Sequence, residues 1–315
     1  MDVGIGAHEP VETSHWVSAL CCPECGGRLT RAGGGLACAR DEAFFATLEG
    51  VHRLLGPERQ AELAAATAFY CRVRADEGFK HSKELPRVPR GHAQARIWRQ
   101  RARHFGRFMD WLVRERPRGQ AIADIGAGCC WAAQRLAEAG HSVAALDINL
   151  DRQDGLAALG DERVEGSGIE RIEADMEFVP LDAACADVVL LNGALHYARC
   201  PQNVVAEARR ILKPGGCLVI LDSPIYRRSP DGEAMVKMKR KDFLNRYGYA
   251  PCRGAAAGYF ALSDLSRLLD RSGFAVRVVG WPSALREMGR DLIEMFRHGR
   301  RTARFPMILA QRRSA

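Results

Sequence analysis

The stretch AIADIGAGCCWAAQRLAEAGHSVAALD, from Ala121 to Asp147, decides the fold of this 315-residue chain. It contains an apolar strand, a glycine turn, a helix and a second apolar strand that ends at a carboxylate. In such a unit the glycines let a ligand approach the backbone, and Asp147 is placed to accept hydrogen bonds from ribose hydroxyls. The stretch therefore predicts a nucleoside site, and by itself it fits a dinucleotide as well as any other nucleoside.

The sequence around this unit alternates predicted strands with predicted helices. Apolar runs predict strands at 121–125, 142–146, 169–173, 187–191, 217–221, 275–279 and 307–310. Helical patterns lie between most of them, at 134–140, 203–216 and 262–273. This alternation predicts an α/β fold, in which helices cover both faces of a doubly wound, mostly parallel sheet of seven strands. The last two strands are predicted to form an antiparallel edge.

Two residues of the opening stretch separate the possible nucleosides. A dinucleotide fingerprint requires a third glycine where Trp131 stands, so that the helix can pass close beneath a pyrophosphate. The tryptophan side chain is too bulky for that role. Asp124, directly before the glycine turn, would repel a pyrophosphate and would attract the ammonium group of a methionine moiety.

Four further segments follow in a fixed order: EADMEFVPL from Glu173, ADVVLLNGALHYA from Ala186, ARRILKPGGCLVILDSP from Ala208 and LLDRSGFAVRVV from Leu268. Together with the glycine turn, they make residues 119–312 resemble the class I S-adenosylmethionine-dependent methyltransferases, which have a Rossmann-like fold. The resemblance implies that the chain is an enzyme that binds S-adenosylmethionine and transfers its methyl group.

The resemblance also implies a role for individual residues. Asp124 would hold the cofactor's amino group through water, the turn glycines its methionine part, Asp147 its ribose, and Asp175 with Met176 its adenine. The implied cofactor-binding set is Asp124, Gly126, Ala127, Gly128, Asp147, Ile148, Asp175, Met176 and Asn192. The alternative interpretation of each is an ordinary turn glycine or a solvated carboxylate.

Three residues after the fourth predicted strand are candidates for the methyl-transfer site: Asn192, His196 and Tyr197. Because the cofactor supplies the reactive methyl, the protein has to align a nucleophile and, where necessary, remove its proton. His196 is the candidate general base, since the ordinary pKa of histidine lies near neutrality. A histidine that only shapes the pocket is the equally weighted alternative.

The motifs associated with nucleic-acid bases are missing from this region. Enzymes that methylate exocyclic amines of bases usually carry Asn/Asp-Pro-Pro-aromatic after the fourth strand, where this chain has Asn192-Gly193-Ala194-Leu195. A Pro-Cys pair, typical of cytosine-carbon methylation, occurs only at 251–252 in a later glycine-rich loop. The sequence therefore favours a small-molecule acceptor, with an RNA methyltransferase and a non-catalytic activator of a partner protein as alternatives.

The second functional motif is a cysteine cluster near the start of the chain. Cys22 and Cys25 form a Cys-x-x-Cys knuckle, and Cys38 follows a glycine-rich hairpin. A second knuckle would end at position 41, which is Asp41. With Phe45 and the residues 49–55 at the expected offsets, the segment resembles the zinc ribbon of bacterial rRNA guanine-N1 methyltransferases and the small activator subunit of eukaryotic methyltransferases. The resemblance implies structural Zn²⁺ on these four residues; a ribbon without metal is the alternative.

These motifs divide the chain into three predicted regions. Residues 1–56 form the zinc-ribbon-like domain, 57–118 a helical linker or cap, and 119–315 the methyltransferase domain. Between the fifth and sixth strands of the last region, about 223–261, a lid is predicted. Its basic and aromatic side chains either select an acidic or polar substrate or form a solvated helix: Tyr226, Arg227, Arg228, Lys237, Lys239 and Arg240. In the linker, Trp98, Arg99 and Arg103 either face the ligand cleft or, as we prefer, form core and solvated surface.

Composition sets the outer limits on function. An apolar content of 47% supports a packed core, and the longest apolar runs are too short to cross a membrane. The acidic start lacks the features of a signal peptide, which predicts a cytoplasmic protein whose eleven cysteines are thiols. The net charge of +8 comes mainly from scattered arginines, which do not by themselves indicate nucleic-acid binding.

Overall fold

The computed structural model describes residues 15–81, 83–117, 119–160, 166–250, 258–281, 289, 291–292, 294–296 and 299–313. Thirteen strands are assigned: β1 Leu29–Ala32, β2 Gly35–Cys38, β3 Phe44–Leu48, β4 Val51–Arg53, β5 Ala121–Ile125, β6 Ser142–Asp147, β7 Ile169–Glu173, β8 Ala186–Asn192, β9 Leu212–Leu221, β10 Ile225–Tyr226, β11 Phe260–Ala261, β12 Phe274–Val279 and β13 Met307–Arg312. The helices are α1 His15–Ser18, α2 Pro57–Asp76, α3 Ala95–Glu115, α4 Trp131–Glu138, α5 Pro201–Ile211, α6 Ser229–Tyr247 and α7 Leu262–Arg271.

The main sheet has the strand order β1-β2-β3-β4-β7-β6-β5-β8-β9-β13-β12. Strands β4 to β9 pair in parallel within it, and β13 runs antiparallel to both of its neighbours, β9 and β12. The predicted mostly parallel sheet with an antiparallel edge is therefore confirmed. The predicted number of seven strands is not: the sheet has eleven, because β1–β4 extend it beyond β7.

Both faces of the central strands are buried, which is why they read as continuous apolar runs. Alternate residues of β5 serve two cores: Ala123 and Ile125 pack with α5 and α7, whereas Ile122 packs with α3 and α4. The order reverses beside β5, since β6 pairs on one side of it and β8 on the other. A sheet of this kind opens a crevice at that point, beyond the carboxyl ends of the strands.

Helix α3 packs into the core formed by the central strands and α4. Most of its apolar side chains recur at helical spacing and are buried, and Trp98 is 1% exposed. Ile97 and Val113 are exposed. The Trp98 ring packs edge-on against Trp131, with centroids 5.7 Å apart, and Trp131 begins α4. The interpretation of Trp98 as a core residue is confirmed, and Arg99 and Arg103 are exposed as expected.

Helix α2 lies across the carboxyl ends of the strands rather than in a core. Val73 is its one buried residue among those described, because the other apolar side chains are spread around the helix. Tyr70 contacts the Tyr197 ring edge-on at 5.5 Å, and Arg74 forms a two-point ion pair with Asp154, at 2.5 and 2.9 Å. These contacts hold α2 over the crevice, and α2 is called the roof below.

The predicted lid region contains a short parallel sheet of β10 and β11 and the helix α6. The ring of Phe69 on α2 packs against the α6 rings of Phe243 and Tyr247, at 5.4 and 5.5 Å. Tyr226 is buried in β10, so it is part of the packing of this region and not a surface contact. The basic side chains are exposed, as in the solvated alternative: Arg227, Arg228, Lys237, Lys239 and Arg240. The Pro-Cys pair at 251–252 lies outside the described residues.

The N-terminal strands form an antiparallel ladder that joins the main sheet through β4. Val51 to Arg53 pair in parallel with Arg171 to Glu173 of β7. The hairpin between β1 and β2 turns at Gly33 and Gly34, whose φ angles of 43° and 84° favour glycine. Across the part of the chain that is described, no helix combines the length and apolar character that a membrane span requires.

Candidate functional site

The crevice where the strand order reverses contains a cavity that is open to solvent, with about 470 Å³ of empty space including its solvent-filled mouth. It lies at the carboxyl ends of β5, β6 and β7, beneath the first half of α2. Six of the residues selected from the sequence line it: Gly126, Asp147, Ile148, Asp175, Met176 and Tyr197. Arg59 and Leu63 of α2 complete the wall on the roof side. The structure thus brings predicted cofactor-binding residues from three separate strands into one cavity.

The glycine turn is required by close packing as well as by backbone conformation. Gly126 has a φ of 78°, and a Cβ at this position would lie 2.4 Å from the Cβ of Ala194. The N–H groups of Gly126 and Ala127 both donate to the carbonyl of Leu146, at 2.7 and 3.0 Å. The turn after β5 is therefore held between the end of β6 and the segment after β8, and any side chain at position 126 would separate them.

Asp147, the last residue of β6, is fixed by backbone donors. Its carboxylate accepts hydrogen bonds from the N–H of Gly128 at 2.7 Å and from the N–H of Asn149 at 2.8 Å. Burial raises the pKa of Asp147, and these backbone N–H groups oppose the rise. The carboxylate faces the cavity with lone pairs still available, as a group that accepts from two hydroxyls requires.

Asp124 is a buried carboxylate that the protein does not pair. The residue is 1% exposed, and neither carboxylate oxygen has a hydrogen-bond partner among the described residues. Burial and, secondarily, the charge of Asp147 raise its pKa to about 7. A buried carboxylate without a donor is costly to ionise. This cost falls when a cationic ligand approaches, so Asp124 has the properties expected for binding an ammonium group.

Asp175 is engaged by a residue that the sequence analysis did not select. Arg59 of α2 donates from Nε to the carboxylate of Asp175 at 2.5 Å, and its guanidinium forms an ion pair with the same oxygen. The second oxygen of Asp175 accepts from the N–H of Glu177 at 3.0 Å. Arg59 thus ties the roof to the wall of the cavity at the position implied for adenine.

The candidate methyl-transfer residues lie at the end of β8. Asn192 is the last residue of that strand, and a 3₁₀ turn from Leu195 to Tyr197 carries the other two. The Nδ1 atom of His196, a buried side chain, is 3.3 Å from the hydroxyl of Ser223. Tyr197 is 43% exposed and lies under α2. The contact with Ser223, which follows β9, therefore holds His196 in position. This contact is compatible with a general base and with a histidine that only shapes the pocket.

A second histidine pair lies beside these residues. His104 of α3 is 2.6 Å from the carboxylate of Asp222, which directly follows β9. The other oxygen of Asp222 is buried and has no hydrogen-bond partner among the described residues. Asp222 has a φ of 49°, an unusual conformation for an aspartate that is typical of functional sites. A Cβ on Gly193 would lie 3.8 Å from the Asp222 Cβ, so the pair adjoins the end of β8.

The cysteine cluster forms a second site, separate from the cavity. One ligand atom from each of Cys22, Cys25, Cys38 and Asp41 lies within 4.8 Å of all the others. Backbone N–H groups of Glu24 and Gly27 each donate to a knuckle sulfur at 3.4 Å. The ten described cysteines are free thiols.

Cys21, the thiol directly before the Cys-x-x-Cys knuckle, belongs to a different environment. Its thiol donates to the carboxylate of Asp182 at 3.0 Å, and it is not among the four clustered residues. Burial raises the pKa of Cys21 to about 12, which disfavours a thiolate there. Asp41 therefore remains the fourth donor of the cluster, and the pKa of its carboxyl is lowered by hydrogen bonds from Cys38 and Cys22.

The residues that sequence analysis missed share one property: their partners are distant in the chain. Arg59 and Asp175 are 116 positions apart, and His104 and Asp222 are 118 apart. No local spacing links such pairs. The one available signal was the position of Asp222 and Ser223 directly after a predicted strand, where parallel sheets place their ligand-binding residues.

Comparison with known proteins shows which protein families the region around the cavity is similar to. Residues 123–220 match the family model described as "Methyltransferase domain". The dimethylglycine N-methyltransferase of Parasynechococcus marenigrum is 36% identical over 107 residues, which are 34% of this chain and 38% of that protein. The demethylmenaquinone methyltransferase of Clavibacter sepedonicus is 31% identical over 119 residues, 36% of this chain and 47% of that protein.

A solved structure, the YcgJ protein of Bacillus subtilis, aligns with 68% of this chain and 100% of its own, at 15% identity and a TM-score of 0.49. The chain spans less than half the length of the two curated relatives described above. The residues that match the methyltransferase-domain model, 123–220, include the glycine turn, Asp124, Asp147 and Asp175.

Proposed function

We propose that the chain is an S-adenosylmethionine-dependent methyltransferase that acts on a small-molecule acceptor. The observation that carries the cofactor assignment is Asp124: a buried, unpaired carboxylate beneath the glycine turn suits the ammonium group of the cofactor's methionine end. Asp147 would accept from the ribose hydroxyls, and Asp175 with Met176 would contact the adenine. Gly126, Ala127, Gly128, Ile148 and Asn192 would complete the cofactor site.

The roof over the cavity supports a small acceptor. Helix α2 is fastened to the wall through Arg59 and Asp175 and through Arg74 and Asp154, and α6 packs on its outer face. A base within a folded RNA would have to displace this roof, whereas a small molecule fits beneath it. The basic side chains of α6, among them Lys237, Lys239 and Arg240, are exposed to solvent.

The chemistry requires an acceptor atom in line with the methyl group and a route for its proton. The cofactor, when bound, supplies an activated methyl group. Asn192 lies at the end of β8, where its amide would orient the acceptor. His196, held by Ser223, would accept the proton of the acceptor, and Tyr197 would close the pocket under Tyr70.

A structural zinc ion is the second part of the proposal. Three thiols and one carboxylate match the donors that zinc prefers, and four protein ligands leave no open position for a reacting water. The ion would stabilise the ribbon of residues 1–56, which precedes the linker of 57–118 and the catalytic region of 119–315. We propose that the protein works in the cytoplasm.

The function can be tested with a methyl-labelled cofactor and a fractionated extract. The wild-type protein should transfer label into the small-molecule fraction, whereas Asp147→Ala, which weakens the cofactor site, should transfer much less. Label in RNA, combined with steep salt dependence of binding, would instead identify an RNA methyltransferase. Cofactor binding without labelling of any fraction would indicate a protein that activates a partner.

A further inference from the structure

Arg101 on α3 is a half-buried arginine that rings hold in place. Its guanidinium carbon lies 5.0 Å from the centroid of the Trp98 ring and 5.7 Å from that of Phe79. Among the described residues, none forms a hydrogen bond or an ion pair with this guanidinium. Stacking of this kind fixes the plane of an arginine side chain while leaving its N–H donors unused.

The free donors of Arg101 are directed to the end of β8. A Cβ on Gly193, the residue after Asn192, would lie 3.9 Å from the Nη2 atom of Arg101. The same charge acts on the glycine turn: burial raises the pKa of Cys129 to about 12, and Arg101 is one of the positive charges that oppose the rise. The guanidinium therefore lies between the turn after β5 and the end of β8.

A buried carboxyl, that of Asp124, lies on the β5 side of the same region. Gly126 touches Ala194, so the turn that follows Asp124 and the segment that follows Gly193 are in direct contact. Asp124 is on the β5 side of this contact, and neither of its carboxylate oxygens has a hydrogen-bond partner among the described residues. Arg101 is on the β8 side, where its guanidinium contacts the rings of Trp98 and Phe79. A carboxyl on one side of this contact and a guanidinium on the other are complementary to the two charged groups of an amino-acid zwitterion.

We propose that Arg101 binds the carboxylate of the cofactor's amino-acid end, opposite the ammonium group that Asp124 attracts. The inference rests on the proposed function and adds a residue from the cap, outside the matched residues 123–220. The planar guanidinium donates two N–H groups to one carboxylate. Because Arg101 belongs to α3, cofactor binding joins this helix to the catalytic sheet.

Two other carboxylates are alternative partners for Arg101 and have to be distinguished from the carboxylate of the cofactor. Asp222 is close, since its Cβ lies 3.8 Å from the same position on Gly193, although one of its carboxylate oxygens is 2.6 Å from His104. The second alternative partner is a carboxylate on the methyl acceptor. If Arg101 binds the carboxylate of the cofactor, substitution of Arg101 should weaken the binding of the cofactor but not of an analogue without that carboxylate. Neither alternative partner predicts this difference.

The test is a calorimetric comparison of S-adenosylmethionine with its decarboxylated analogue, in the absence of an acceptor. For the wild type, removal of the carboxylate should weaken binding about 10- to 100-fold, the range for hydrogen bonds between charged groups. Arg101→Met keeps an apolar side chain against the rings and should weaken S-adenosylmethionine by the same factor. It should leave the affinity of the decarboxylated analogue within about threefold of wild type.

Arg103→Met is the matched control, because Arg103 is exposed on the same helix, and it should behave as wild type with both ligands. If Arg101→Met binds S-adenosylmethionine as tightly as wild type, or loses affinity equally for both ligands, the inference is wrong. Failure of the wild-type protein to bind either ligand would contradict the proposed function itself.

Discussion

The cysteine cluster and the cavity are both places where polar side chains converge, but their groups are satisfied differently. In the cluster the donors bind each other: the Cys22 sulfur lies 3.2 Å from Asp41, and the Cys25 sulfur 3.5 Å from that of Cys38. Beside the cavity, directly before the glycine turn, Asp124 has no hydrogen-bond partner among the described residues. The cluster is thus a set of ligands gathered around one point, whereas the cavity adjoins a buried carboxyl to which none of the described residues donates a hydrogen bond.

This difference has a consequence for how each site is recognised. The cluster can be recognised from local spacing in the sequence, because a Cys-x-x-Cys knuckle determines its own geometry. The cavity follows from topology, because its charged groups come from different strands and from the roof. A mutation in the cluster should therefore act by removing a metal ligand. A mutation at the cavity should act by changing the charge or the free space next to the cofactor.

The largest effect is expected from breaking the cluster. Cys25→Ser removes one of three thiols, and the metal-binding free energy lost by such a site is on the order of 10 kcal/mol in zinc-finger peptides. Elemental analysis of the purified protein should find about one zinc ion per chain in the wild type and little in the variant, with a lower unfolding midpoint.

Cys200→Ser is the control for this experiment, since Cys200 is a free thiol outside the cluster. It should retain zinc and stability. Equal metal content in the wild type and Cys25→Ser would show that the cluster is not a zinc site.

The next effect concerns space in the cavity. Gly126→Ala combines a left-handed backbone with a Cβ 2.4 Å from that of Ala194, so we expect a loss of about 2–4 kcal/mol in the free energy of unfolding. Gly215→Ala is matched in backbone conformation, with a φ of 71°, but its Cβ would meet nothing within 4 Å. It should lose only about 1–2 kcal/mol in urea unfolding. Equal losses would mean that contact with Ala194 adds nothing.

The carboxylate at the end of β6 tests the ribose contact. Asp147→Ala should weaken cofactor binding by about 1–3 kcal/mol, the range for lost hydrogen bonds to a charged group. Isothermal calorimetry with S-adenosylhomocysteine gives the value directly. Asp270→Ala, at an exposed aspartate of α7, should bind as wild type. Unchanged affinity in Asp147→Ala would contradict the assigned ribose contact.

The smallest effect is a pH dependence. Because the pKa of Asp124 is raised to about 7, the carboxyl is mostly protonated at pH 5.5 and half ionised near pH 7. The cofactor's ammonium group stays charged in this range and is attracted by the ionised form. Cofactor affinity should therefore rise about tenfold from pH 5.5 to 7. Asp124→Asn should remove this slope, and a slope that persists in that variant would rule out Asp124 as its source.

Much of the catalytic sheet could be predicted because burial leaves a direct trace in the sequence. Strands that are covered on both faces must be apolar throughout, and each predicted strand from 121–125 to 307–310 is observed with ends shifted by five residues or fewer. The core position of Trp98 was also predictable, since α3 presents its apolar residues at helical spacing.

The remaining features depend on contacts that no local pattern encodes. β4 is three residues long, and its pairing with β7 turned the expected seven-stranded sheet into an eleven-stranded one. Arg99 and Arg103 were the arginines considered from the sequence, yet Arg101 between them lies on the Trp98 ring. Which side of a helix carries the ligand is decided by tertiary packing, and this also holds for Arg59.

The pairing of β4 with β7 has a practical consequence for solubility. Residues Val51 to Arg53 cover the main-chain N–H and C=O groups on the outer side of β7. A fragment that started at residue 119 would leave those groups open, and an unpaired apolar strand invites strand-to-strand association between molecules. The N-terminal ladder thus protects the outer side of β7 from such association. Expression of residues 1–315 is therefore a better starting point for biochemical work than expression of a fragment from residue 119.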